Sequence, residues 1–157
     1  MEGIARREGH RIGMNFATPV MRLTERQYAV IVGHCYDGYP DEACGLLTGK
    51  LNGTEPDGRI TDAVPCVNVE RSARTYTVDP RDLLRVMREA EARGDEIVGV
   101  WHSHTHTDAY PSPTDVRLAV DPSWICAIVS LRDGAPVLRA YRIRDGVIAE
   151  IPIALER

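Results

Sequence analysis

Apolar positions along this chain follow two rhythms, and the changes of rhythm mark the elements. Residues 1 to about 20 are polar, rich in Arg and Gly, and show no period, which predicts a flexible tail. Met21-Arg22-Leu23-Thr24 then leads into a segment where Tyr28, Ile31 and Cys35 recur at helical spacing. Thr24, with Gln27 three residues on, predicts a capping box at the start of that helix, and Tyr36-Asp37-Gly38-Tyr39-Pro40 ends it. Ala43 to Leu51 reads as a buried strand turned by Asn52-Gly53. Extended segments are predicted over Ile60 to Val69 and Thr75 to Val78, separated by the polar, exposed link Glu70 to Arg74. A second helix has Asp79 as N-cap, Pro80 at its first position, Leu83, Met87 and Ala90 on one face, and Gly94 as its stop.

Asp95 to Trp101 becomes apolar and β-branched after its acidic start, so a strand runs into His102. A short helix begins near Thr114, and Ser123 to Leu131 is a strongly apolar strand. Val137 to Ile143 and Val147 to Ile153 complete the pattern as strands, with turns at Asp133-Gly134 and Asp145-Gly146. Helix, strands, helix, strands predicts an α+β fold with a mixed, mostly antiparallel sheet.

Composition narrows the class. At 157 residues the chain suits one domain, expected over residues 21–157 behind the tail at 1–20. Apolar residues make up 43% and charged ones 27%, as in an ordinary soluble globular protein. No apolar run approaches the ~20 residues that cross a bilayer, and the N-terminus lacks the apolar core of a secretory signal. A net charge of −4 gives no pull toward nucleic acid or an anionic membrane. Cys35, Cys44, Cys66 and Cys126 are scattered without a C-x-x-C pair, so neither a zinc ribbon nor a disulfide framework is expected, and the compartment is expected to be the cytoplasm.

The candidate chemistry lies between Trp101 and Asp115, which read W-H-S-H-T-H-T-D-A-Y-P-S-P-T-D. Successive side chains of a strand point to opposite faces, so His102 and His104 share one and Ser103 turns away. Two imidazoles, with Asp115 returning after a short loop, are three ligands for a tetrahedral Zn²⁺ whose fourth position stays open for water. A solvated polar loop is the alternative reading of a lone His-x-His. The longer pattern H-x-H-x7-S-x2-D is far more specific, and no cysteine lies near enough to suggest a structural site.

A metal-bound water needs a base that is not itself a ligand, and Glu42 in Pro40-Asp41-Glu42-Ala43-Cys44-Gly45 is the candidate. Alternation points Asp41 away from it; a solvated acidic pair at a strand start is the alternative. Ser112, three residues before Asp115, is either a helix cap or an oxyanion donor.

Glu42 together with H-S-H-x7-S-x2-D resembles the JAMM (MPN-plus) zinc metalloproteases, and the likeness covers most of the chain from Met21 onward. The wording P-D-E-A-C-G, H-S-H-T-H-T-x-A-Y-P-S-x-T-D and Tyr76-Thr77-Val78-Asp79-Pro80 is similar to the bacterial, Mec-like branch. That branch removes cysteine from the C-terminus of the ubiquitin-like sulfur-carrier protein CysO. The resemblance implies a JAMM/MPN, cytidine-deaminase-like fold with Zn²⁺ on His102, His104 and Asp115. It implies that Glu42 activates the bound water and passes the proton to the leaving amine, and that Ser112 stabilises the oxyanion. The implied partner is a CysO- or ThiS-like sulfur carrier whose tail adds as a strand; homodimerisation is left open.

Two other classes compete with this reading: a zinc-holding MPN scaffold without turnover, against which Glu42 and Ser112 speak, and a deaminase, whose H-x-E and P-C-x-x-C signatures are absent. A deubiquitinase-like isopeptidase is a third, though 157 residues leave little room for ubiquitin-gripping insertions. His106 either meets a substrate carboxylate or is solvated, His34 is expected to be structural, and Cys44 is expected to face the core.

Overall fold

The computed structural model describes residues 19–119 and 121–157. The expected tail therefore lies outside the described residues as far as residue 18. The elements run β1 (Met21–Thr24), α1 (Glu25–Gly38), β2 (Cys44–Asn52), β3 (Glu55–Cys66), α2 (Pro80–Ala92), β4 (Glu96–His104), α3 (Pro113–Leu118), β5 (Ile125–Ser130), β6 (Val137–Arg144), β7 (Val147–Ile151) and β8 (Ile153–Glu156). Among the described residues the strands form one sheet in the order β7-β6-β5-β4-β2-β3-β1-β8. Four neighbouring pairs are antiparallel (β2–β3, β2–β4, β5–β6, β6–β7) and three parallel (β4–β5, β1–β3, β1–β8). This is the α+β architecture with a mixed, mostly antiparallel sheet that the pattern predicts. No helix of the described residues is long and apolar enough to cross a membrane.

Local chemistry accounts for the helix positions. The capping box at α1 forms: Gln27 N donates to Thr24 Oγ1 at 3.1 Å, and Thr24 N donates to Gln27 Oε1 at 2.9 Å. The same Gln27 amide donates to Ile60 O at 3.0 Å, fastening the helix start to β3. Helix α1 covers one face of the sheet, where Ile31 and Cys35 pack with Leu47, Val98, Trp101, Ala127 and Val129. The opposite face carries a smaller cluster of Cys44, Leu46 and Cys66 beneath Val86 of α2. Gly94 at φ +73° ends the α2 segment, a conformation that glycine adopts without strain.

Three expectations need correction. The final strand is split at Pro152: β7 pairs with β6 at one border of the sheet, and β8 pairs with β1 at the other. Proline supplies no N–H to a ladder, so the chain changes partners there. Strand β3 starts earlier than expected and stops at Cys66; residues 67–78 keep only the isolated bridge Asn68↔Val78. Helix α2 buries Val86 and Ala90 and leaves Leu83 and Met87 exposed. Asp82 accepts from Val67 N at 2.9 Å, and Asp82, Val86 and Ala90 lie at successive i, i+4 positions, so that stripe faces the sheet.

Trp101, fully buried, lies directly against Gly45 on the adjacent strand. A Cβ at Gly45 would stand 2.1 Å from the indole Cζ2 and 2.5 Å from Val64 O, so only glycine fits beneath this ring. The packing fixes the register of β4 one residue before its first histidine.

Candidate active site

Strand β4 is internal, held by β2 on one side and β5 on the other, and it continues through both histidines. His102 is opposite Cys44 and beside Ile128. His102 Nε2 lies 3.1 Å from His104 Nε2 and 3.2 Å from Asp115 Oδ2; the third side of the triangle, His104 Nε2 to Asp115 Oδ2, is 3.1 Å. Asp115 is aimed by the start of α3. Its N–H donates to Ser112 Oγ at 3.0 Å, and its Oδ2 accepts from Ser112 N at 2.8 Å. The capping role considered for Ser112 is therefore realised. A hydroxyl that accepts one bond still has its own proton to donate, so the cap does not compete with an oxyanion role.

The protonation of the triangle follows from one contact. His104 Nδ1 is 2.7 Å from Asp108 O, and a carbonyl only accepts, so Nδ1 carries the proton and the Nε2 lone pair faces inward. A lone pair and a carboxylate oxygen then meet at 3.1 Å, an arrangement that a cation or an added proton must reconcile. Burial would lower the His104 pKa, but the Asp115 carboxylate, the Asp108 carbonyl and Glu42 together outweigh it and raise the imidazole above its ordinary value. Burial holds His102 below its ordinary value despite Asp115. Burial alone would raise Asp115, yet the two imidazoles and the Ser112 N–H hold it well below the usual carboxylate range.

The donor set fits a small divalent cation: His102, His104 and Asp115 are mutually close enough to share one ion. Ligands on a tetrahedral zinc with bonds of about 2.0–2.1 Å are separated by about 3.3 Å, near the spacing of these atoms.

Glu42 stands at the entrance to β2, 5% exposed, and its Oε2 has no hydrogen-bond partner among the described residues. Burial pushes its carboxyl up to about 7; His104 opposes that rise and Asp115 adds to it. Asp41, its acidic neighbour, is only half-buried, so the two do not form a solvated pair. The backbone around Glu42 is fastened on both sides. Glu42 N donates to Ser72 O at 2.8 Å, and Glu42 O accepts from Asn68 Nδ2 at 2.9 Å. On the other side Ala43 N donates to Ser103 Oγ at 2.8 Å, and Ser103 N donates to Ala43 O at 3.0 Å. Ser103, turned away from the triangle, thus ties the segment bearing Glu42 to the strand bearing both histidines.

Two residues that the sequence reading did not single out belong to this site. Tyr76 stacks on the His102 ring, with centroids 4.4 Å apart and planes inclined by 23°. Asn68 donates to Thr75 O at 3.2 Å as well as to Glu42 O, and its Oδ1 accepts from Thr77 N and Glu70 N at 3.0 Å each. It binds the backbone on either side of Tyr76 to the backbone of Glu42. A lone aromatic residue in a four-residue extended segment carries no periodic signal of a site, and only the resemblance of Tyr76-Thr77-Val78-Asp79-Pro80 singled this segment out.

Tyr76 and Asp115 also line a cavity of about 410 Å³ that extends between α2 and α3 over Val100 and Cys126. His106 lies past the strand end, exposed, with Nδ1 2.7 Å from Thr105 Oγ1 and its ring 6.2 Å from that of Tyr39. His34 Nε2 meets Cys66 O at 3.1 Å and its ring stands edge-on to Trp101, a packing role. The four cysteines are free. Burial pushes their thiols up to about 12, so Cys44 is no thiolate nucleophile despite its nearness to Glu42.

This geometry can be set beside known proteins. Residues 24–144 match the family described as prokaryotic homologs of the JAB domain (Prok-JAB). The chain is 42% identical over 124 residues to the CysO-cysteine peptidase of Mycobacterium tuberculosis, spanning 78% of this chain and 82% of that one. It is 33% identical over 132 residues to the desampylase of Haloferax volcanii, spanning 80% and 89%. A protein from Desulfitobacterium hafniense solved in solution superposes with a TM-score of 0.77 at 34% identity, over 87% of this chain and 92% of that one.

Proposed function

The chain belongs to the prokaryotic homologs of the JAB domain, and on that premise we propose that it is a zinc-dependent peptidase. Its substrate is the amide bond joining the C-terminus of a ubiquitin-like sulfur-carrier protein to cysteine or a short peptide. The observation that carries this reading is the buried, unpartnered Glu42 carboxylate oxygen beside the inward-facing triangle of His102, His104 and Asp115. A scaffold that merely held a metal would have no use for a buried carboxyl group kept free of partners. Residues 21–157 are taken as one JAMM/MPN metallopeptidase domain.

His102, His104 and Asp115 hold the ion; when bound, zinc supplies a Lewis acid that acidifies water and polarises the scissile carbonyl. Glu42 is the general base. A base works best with a pKa near the operating pH, and burial has moved this carboxyl to about 7, from which a nearby cation draws it down. It takes a proton from the attacking water and returns it to the leaving amine. Ser112, its oxygen fixed by Asp115 N, keeps its proton to donate to the developing oxyanion.

The carrier tail lies in the cavity beside Tyr76 and Asp115. Thr77 has its N–H on Asn68 and its carbonyl on Val69, so in an extended chain the backbone groups of Tyr76 and Val78 project to the opposite side. There they can pair with an added strand.

The 42% likeness to a CysO-cysteine peptidase favours cysteine as the group released. The 33% likeness to a desampylase favours a second reading, in which the carrier is joined to a lysine of another protein. Incubation with each conjugate, followed by weighing the carrier, separates the two. The main reading expects the cysteine conjugate to lose cysteine in the presence of zinc, and Glu42→Ala to stop the loss. Release by Glu42→Ala as fast as by the unsubstituted protein would sink the mechanism.

A further inference from the structure

The two histidines of the triangle are not supported alike. An imidazole that binds a metal through one nitrogen ordinarily fixes its ring by donating the other N–H to a carboxylate, carbonyl or water. His104 does so, with Nδ1 2.7 Å from Asp108 O. His102 does not: its Nδ1 is buried and has no hydrogen-bond partner among the described residues. Its Nε2 meets only the triangle, His104 Nε2 and Asp115 Oδ2, and no polar group holds the ring from the Nδ1 side. What lies against it is the face of Tyr76, at 4.4 Å and 23°. This stacked contact restricts the ring from one face.

The phenol is itself held in place. Thr75 O and Thr77 N, on either side of Tyr76, are both bound by the Asn68 side chain, and Thr77 O accepts from Val69 N at 3.0 Å. Asn68 also holds Glu42 O, so the support of the first histidine and the backbone of the base share one anchor.

We infer that Tyr76 is a positioning residue for His102, and that its ring face supplies the restraint which His104 obtains from the Asp108 carbonyl. The inference rests on the zinc reading of the triangle. It assigns the role to the ring and not to the hydroxyl, which separates it from a catalytic or hydrogen-bonding use of the same side chain.

The test is zinc affinity of the full chain, measured by competition with a chromophoric chelator, for the unsubstituted protein, Tyr76→Phe, Tyr76→Leu and Tyr76→Met. Phe keeps the ring face and is expected to bind zinc within about twofold of the unsubstituted protein. Leu and Met fill space without a ring face and are expected to weaken zinc about 10- to 100-fold, the range for lost support of a metal ligand. Melting of the zinc-free proteins identifies any variant that has lost its fold; should Leu do so, Met decides. Leu and Met binding zinc as tightly as Phe would overturn the inference, as would Phe weakening it as much as Leu. If the unsubstituted protein itself bound no zinc, the proposed function would fall with it; failure of the variants alone leaves that function standing.

Discussion

Ser103 Oγ accepts the N–H of Ala43 at 2.8 Å, while Ala43 O accepts the N–H of Ser103 at 3.0 Å. A side-chain oxygen here takes the rung that a backbone carbonyl fills elsewhere in an antiparallel ladder. The pairing of β2 with β4 runs through Cys44↔His102 and reaches its end with this pair. The chain can then diverge to bring Glu42 beside the triangle without leaving Ala43 N unpaired. Ser103→Ala is expected to leave a buried N–H without a partner, lowering stability by about 1–3 kcal/mol. It should also lower kcat about tenfold through misplacement of the base, with KM and bound zinc unchanged. Denaturant melts, steady-state kinetics and metal analysis check the three parts, and a fall in zinc content would show that Ser103 serves the ligands instead.

Glu42→Gln is expected to reduce kcat by about 10²- to 10⁴-fold while zinc stays bound, the range for a removed general base. It also carries a pH signature in the zinc-free protein. The folded carboxyl has its pKa raised from 4.5 to about 7, so its favourable contribution is fully present below 4.5 and is lost as pH rises through 7. The stability difference between Glu42→Gln and the unsubstituted protein should therefore shift in favour of Gln by on the order of 3 kcal/mol between pH 4 and pH 8. Urea unfolding in the presence of a chelator measures it; a difference independent of pH would contradict the raised carboxyl.

Chelation should abolish the activity, and zinc should restore it. The three side chains meet only in the folded chain, so zinc held there at 100 times its Kd should add about 2.7 kcal/mol of stability. Asp115→Asn removes the carboxylate that both imidazoles face, and its melting curve should no longer respond to zinc. A zinc-dependent rise in Tm retained by Asp115→Asn would place the ion elsewhere.

Asn68→Ala is expected to affect two distant features together. Four backbone groups lose their partner, so stability should fall by on the order of 2 kcal/mol. Zinc affinity and kcat should both fall, because the Tyr76 segment and Glu42 share this anchor. If only stability changes, Asn68 merely shapes the loop.

Gly45→Ala should fail to fold or lose about 3 kcal/mol or more, since a methyl there meets both the Trp101 ring and Val64 O. Circular dichroism and thermal melting decide the point. A near-native Tm would mean that the indole can shift.

What could be read in the sequence is what is encoded by near neighbours. His102 and His104 share a face because strands alternate, Ser112 and Asp115 meet because a capping box spans three residues, and Thr24 with Gln27 does the same at α1. The residues that escaped notice act across long separations. Tyr76 reaches His102 from a link that is neither helix nor strand, and Asn68 reaches Glu42 from 26 residues away. On α2, Leu83 and Met87 form as good an apolar stripe as Val86 and Ala90; a bond from Val67 N to Asp82, invisible to periodicity, chose between them. The exchange of partners at Pro152 had a local cue in the proline, but which border each half would join had none.

That exchange has a consequence for how the chain matures. Strand β1 meets β3 in only one register pair, Arg22↔Arg59, and meets β8 in four, from Met21↔Ile153 to Thr24↔Glu156. Its main partner thus lies some 130 residues further along the chain. Pairing across so long a separation is slow to form. Until residues 153–156 emerge, the strand that ends in the α1 cap has one border open to other chains. Synthesis of residues 153–156, and not of the strands that precede them, closes that border.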